Sequence, residues 1–148
     1  ALEPARPPRQ TLPPGVHPMA DFEKYCAPSV FNPPAYAQAV KITGGSTMLV
    51  LSGQVDYDAN GGVANPGDMK AQAVACFKHV KAQLEAGGGS INDIARLNVY
   101  ITDMSKITEY REARLEVFGD LKVASTLVGV TTLALPEFVI EGEAIAVL

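Results

Sequence analysis

The chain is poor in cysteine, histidine, cations and long apolar runs, and each shortage removes a class of function. Its two cysteines, Cys26 and Cys76, form neither a CxxC pair nor a metal-ligand spacing. Cys76 falls in an apolar helical pattern and reads as core, Cys26 falls in a loop-like region, and a disulfide between them stays open. A reducing, cytoplasmic setting is the expectation. The two histidines, His17 and His79, have no recognisable triad setting. No apolar run approaches the roughly 20 residues that span a bilayer, and the first residues lack the apolar core of a signal peptide. Ala1 in place of a Met leaves open both Met removal and cleavage from something longer. Lysine and arginine number 12 against 16 acidic residues, a net charge of −4. That balance argues against a broad nucleic-acid footprint, although it allows a local cationic pocket. Nucleophile-elbow, P-loop, Rossmann and zinc signatures are absent.

What is present fits one ordinary folded domain: 148 residues, 47% of them hydrophobic. Residues 1–34 hold most of the 11 prolines and read as an extended arm without helix. Residues 35–148 form the domain proper. The stretch from Tyr36 to Ile42 predicts a first strand, Gly44-Gly45 a turn, and Thr47 to Leu51 a second strand, together a hairpin signal. The polar loop Asp56–Gly62 has the outline of a calcium loop but lacks its closing glutamate. Asn65 as cap, Pro66 at the first helical position and Asp68 three after the cap predict a long helix. Met69, Ala73, Cys76, Phe77, Val80 and Leu84 make its apolar stripe, and Gly87-Gly88-Gly89 ends it. His79, beside the stripe, reads as structural or solvated. After a capped turn at Ser90–Asp93, residues 95–102 predict a third strand. A second helix opens at Ser105 and runs to Phe118. Arg111 and Arg114 lie inside its apolar stripe, where arginine stems cover apolar surface and keep their heads in water. Residues 124–130 predict a fourth strand.

The last strand organises the rest. Along Glu137–Leu148, period two places Phe138, Ile140, Gly142, Ala144 and Ala146 on one face and Val139, Glu141, Glu143, Ile145 and Val147 on the other. Glu141 and Glu143 therefore interrupt an otherwise apolar face, and a buried carboxylate must be paired, protonated or open to a wet pocket or subunit boundary. The order β-β-α-β-α-β-β gives a two-layer α+β arrangement with helices on one sheet face. The other, apolar face predicts self-association.

Five segments in this order resemble the Rid family of reactive-intermediate deaminases (YjgF/YER057c type): residues 36–40 (YAQAV), 51–55 (LSGQV), 98–103 (NVYITD), 124–128 (ASTLV) and 140–147 (IEGEAIAV). The resemblance implies a chorismate-mutase-like fold, a homotrimer with an inner barrel, and small-molecule pockets at the subunit interfaces. It implies no metal or organic cofactor. Some relatives are described as ribonucleases or translation inhibitors, but the acidic balance and the lack of a basic stripe point to no nucleic-acid partner, and the short apolar runs to no membrane. Archetypal members hydrolyse 2-imino or enamine acids to 2-keto acids and ammonia. There a strand arginine grips the substrate carboxylate as a bidentate pair, and a glutamate in the last strand handles water. Glu141 matches that glutamate, and Tyr36, Ser52 and Gly53 match the pocket tyrosine and Ser-Gly pair. The arginine is replaced: Ser125, followed by Thr126, stands in its place. Alignment of the second helix places Arg111 at a pocket position, which makes it the candidate replacement cation, with Arg114 its neighbour. The competing expectation is a non-catalytic small-molecule binder on the same scaffold.

Overall fold

The computed structural model describes residues 19–29 and 31–148. In chain order the elements are β1 (Asp21–Tyr25), β2 (Ala39–Thr43), β3 (Met48–Val50), α1 (Met69–Ala86), β4 (Ile94–Ile101), α2 (Ile107–Phe118), β5 (Ala124–Gly129) and β6 (Ile140–Val147). Single 3₁₀ turns at Ile91–Asp93 and Met104–Lys106 lead into β4 and α2. Four strands form one sheet in the order β3-β6-β4-β5, parallel between β4 and β5 and antiparallel elsewhere. Both helices cover one face, as the α+β reading expects.

The alternation expected of β6 holds along its length. Ile140, Gly142, Ala144 and Ala146 are buried beneath the helices, whereas Glu141, Glu143, Ile145 and Val147 are half-buried on the far side. The stripe of α1 packs on Leu97, Val99, Ile101 and Ile140. Phe77 joins the helices, its ring 5.0 Å from that of Phe118 and 6.0 Å from that of Tyr110. Gly142 lets α1 pack closely on β6: an added Cβ would lie 3.0 Å from the Cys76 sulfur, which would have to give by a few tenths of an ångström.

Three local expectations need correction. The cap of α1 is Asp68, which accepts from the Ala71 N–H at 3.0 Å. Gly67, at φ 72°, turns the chain just before it. Asn65 is occupied elsewhere, donating from its backbone N and Nδ2 to Asp56 Oδ2 at 2.7 and 3.0 Å. Ser105 does not open α2; Asp103 caps the preceding 3₁₀ turn by accepting from Ser105 N and Oγ. The expected hairpin is also not formed as such. β2 pairs with β1, in register from Asp21 with Thr43 to Tyr25 with Ala39, while β3 pairs with β6. Gly44 and Gly45, both at φ 79°, do turn the chain. Ser46 and Thr47 then donate to the Leu148 carbonyl, which sets the following residues along β6 instead of back along β2.

β1 lies within the segment read as an arm, so part of that arm is strand. The rest of the arm before residue 19, with His17, lies outside the described residues. No helix among the described residues is long and apolar enough to cross a membrane.

Candidate functional site

The site residues fall into two groups on opposite faces of the sheet. The first surrounds a pocket of about 390 Å³ between α2 and β5, lined by Tyr36, Tyr110, Arg111, Arg114, Ser125 and Thr126, with Ala35 and Leu127. Ser125 pairs in register with Leu97, which pairs with Ala144, so it shares their helix-covered face at the β5 edge. Tyr36 is held there by its neighbour: the Ala37 N–H donates to the Val123 carbonyl at 3.1 Å. Arg114 Nη2 donates to the Leu121 carbonyl at 3.1 Å, which ties the end of α2 to the following turn. Arg111 is exposed, and among the described residues no hydrogen bond or ion pair engages it. Among the described residues no carboxylate lines the pocket. Burial pushes the Tyr110 phenol up, against the opposing pull of Arg114 and Arg111.

The second group lies on the open face. Glu141 is half-buried and its carboxylate rests against Gly53, where an added Cβ would sit 2.6 Å from the Glu141 Cδ. Gln54 and Gly142 exchange backbone hydrogen bonds of 2.7 and 3.0 Å, fixing this approach. Ser52, next to Gly53, is exposed. Beside them lies a network that the sequence reading missed. Glu143 Oε1 accepts from Asn98 Nδ2 at 3.0 Å and from the Tyr100 hydroxyl at 2.8 Å, and Arg96 Nε donates to Asn98 Oδ1 at 3.0 Å. Its trace in the sequence is the period-two set Arg96, Asn98 and Tyr100 on β4, but the pairing with β6 needs the register. The Asn98 and Tyr100 hydrogen bonds, aided by Arg96, hold the Glu143 carboxyl below its ordinary range, and the same bond pushes the Tyr100 phenol up.

A carboxyl lowered on folding stabilises the fold above its unfolded pKa and loses that contribution as pH falls through the folded one. Stability should therefore decline from about pH 4.5, the ordinary glutamate value, toward lower pH, modestly because the pair is solvent-screened. Urea midpoints measured between pH 6 and 3 should show a shallower decline in Glu143→Gln than in the parent.

The remaining candidates have local structural roles. His79 Nδ1 donates to the Val55 carbonyl at 2.9 Å. Asp58 Oδ1 accepts from the backbone of Asn60 and Gly62, so the calcium-like loop spends that carboxylate oxygen on its own chain. Cys76 is not joined to Cys26; its thiol donates to the Gln54 carbonyl at 3.1 Å, and burial pushes it up to about 12.

Within one chain, then, Tyr36, Arg111, Arg114, Ser125 and Thr126 meet in one pocket, while Gly53 and Glu141 meet on the other face. Strand β4 stands between β5 and β6, with Tyr100 opposite Glu141.

Comparison with known proteins gives this geometry its context. The family model described as Endoribonuclease L-PSP matches residues 28–148. A RutC family protein of Pyrococcus horikoshii is 37% identical over 120 residues, covering 81% of this chain and 90% of its own. A 2-iminobutanoate/2-iminopropanoate deaminase of Dermatophagoides farinae is 29% identical, covering 72% and 80%. Among solved structures, a Rid-family protein of unknown function from Yersinia pestis superposes with a TM-score of 0.76 at 26% identity, covering 86% of this chain and 98% of that one. The chain belongs to the Rid family, the YjgF/RutC group to which the Endoribonuclease L-PSP model corresponds.

Proposed function

We propose that this protein hydrolyses a small 2-imino or enamine acid to the 2-keto acid and ammonia, in clefts formed between copies of the chain in a homotrimer. The observation that carries the reading is Arg111: an exposed guanidinium without a partner among the described residues, on a pocket that no carboxylate lines. A planar fork of donors in that setting suits a substrate carboxylate. It takes over the role left vacant by Ser125, whose hydroxyl, with that of Thr126, is available to orient the substrate. Glu141 lies on the opposite face of the same sheet, so it serves the pocket of a neighbouring copy. There it positions or deprotonates the water that attacks the imine carbon. Water adds across C=N, the C–N bond breaks, and ammonia leaves with the keto acid remaining. The exposed Met48 and Val50 on the open face supply apolar surface for the association.

Ser125 favours a second reading, a binder without turnover, because a short hydroxyl replaces the archetype's strand cation. One assay separates the two. Ammonia and keto acid are measured from 2-iminopropionate generated in situ by an amino-acid oxidase. Glu141→Ala should lower kcat/KM about 10²- to 10⁴-fold, the usual scale of a lost general acid–base. Arg111→Ala should weaken carboxylate binding by about 2–5 kcal/mol, the cost of truncating a charge partner. An inert parent that Ser125→Arg makes active would favour the binder. An Arg111→Ala variant of full affinity, or a chain that sediments as a monomer at assay concentration, would overturn the shared-cleft reading.

A further inference from the structure

A second pocket, of about 380 Å³, lies on the other side of Tyr36, between the β1–β2 ribbon and the approach to β5. Lys24, Tyr25, Asn32, Gln38 and Lys122 contribute to its walls, and Tyr36 lines both pockets. Lys24 and Lys122 make no ion pair among the described residues, whereas Lys41, Lys70 and Lys81 each have a carboxylate partner. Among the described residues no aspartate or glutamate lines either pocket. Four of the chain's 12 lysines and arginines therefore gather around one tyrosine in a protein whose net charge is −4.

We propose that the two pockets receive the two ends of one ligand, so that the preferred substrate carries two anionic groups: a 2-imino dicarboxylate held by Arg111 at its reacting end and by Lys24 and Lys122 at its distal end. The proposal rests on the carboxylate-binding role given to Arg111 above. The two pockets share Tyr36, and their walls are close along the chain: Lys122 precedes Ser125 by three residues, at most about 10 Å of extended chain. A five-carbon dicarboxylate places its carboxyl carbons about 5 Å apart, and a charge-assisted contact adds about 2.8 Å at each end. Asn32 and Gln38 line the second pocket with the lysines, Gln38 Nε2 donating to the Phe31 carbonyl at 2.8 Å, and Tyr36 is the wall that the two pockets share.

The test is a binding measurement, so it does not depend on turnover. The full chain is titrated calorimetrically at constant ionic strength with 2-oxobutanoate and with 2-oxoglutarate, keto-acid probes bearing one and two carboxylates. The parent should bind the dicarboxylate about tenfold more tightly, two modest charge contacts acting together. In the double variant Lys24→Gln and Lys122→Gln that ratio should fall to near one, and Lys24→Arg with Lys122→Arg should restore it. Equal affinities in the parent, or a preference that survives in the glutamine variant, would overturn the proposal. Arg111→Ala reports separately on the underlying reading: it should weaken both probes, and failure to weaken either would count against Arg111 and not against the lysines.

Discussion

Replacing Gly53 by alanine should lower the proposed imine hydrolysis about a hundredfold while leaving stability within about 1 kcal/mol of the parent. The new Cβ would lie 2.6 Å from Cδ and 2.9 Å from Cγ of Glu141, closer than such atoms can approach. Gly53 is not among the glycines with positive φ, so an alanine there imposes no backbone strain. The atoms it meets belong to the end of a flexible, half-buried side chain, and that end swings aside at small cost. The carboxylate then leaves its place by an ångström or more, and misplacement of that size costs on the order of 10² in rate. The measurement is kcat/KM beside a urea unfolding curve of the same variant. Activity within threefold of the parent would mean that the seat of Glu141 against Gly53 has no part in the chemistry.

The largest effect on stability is expected at Gln72, a fully buried polar residue in α1. Its Nε2 donates to the carbonyls of Asn65 and Glu137 at 2.8 and 2.7 Å, and its Oε1 accepts from the Val139 N–H at 2.9 Å. One amide thus fastens the start of α1 to the segment that feeds β6. Gln72→Leu keeps much of the volume, strands the Val139 N–H, and leaves the Asn65 and Glu137 carbonyls with only their backbone donors, the N–H groups of Asp68 and Gly67. At about 1–3 kcal/mol for the unsatisfied N–H and about 0.5–1.5 kcal/mol for each of the two other lost bonds, the loss should reach about 2 kcal/mol or more. Chemical denaturation should show it as a lower midpoint with little change in slope. A loss below 1 kcal/mol would mean that water enters and replaces the amide.

These two positions also mark where the sequence was legible and where it was not. The β6 alternation and the α1 stripe could be read because burial imposes periods of two and 3.6 on the residues themselves. The ends were harder. Asn65 and Asp68 are both good caps, and the choice between them depends on Asp56, nine positions before Asn65 and buried beside it. β1 was hidden because prolines crowd the segment around it, although Asp21–Tyr25 itself contains none. The pairing of β3 with β6 has no local signature, since the Gly44-Gly45 turn signals a hairpin equally well. In the site, Tyr36, Ser125, Thr126 and Arg111 could be named as candidates by resemblance and from their motifs. That they line one pocket while Glu141 faces the other way follows only from the strand register. Gln72 carried no signal at all, because a glutamine on a helix gives no hint of three partners, two of them in distant chain.

The place of β6 between β3 and β4 has a kinetic consequence. Met48 pairs with Val147 and Val50 with Ile145, contacts on the order of a hundred positions apart, and β3 reaches the sheet only through β6. Closing so long a loop is entropically unfavourable before any pairing compensates it. The β4–β5 pair with its crossover helix α2 is more local and can assemble earlier. Until β6 inserts, β3 and β4 both present unpaired edges, the condition under which chains find each other instead of themselves. Refolding should accordingly be slower than the helix content suggests, and its yield should fall as protein concentration rises.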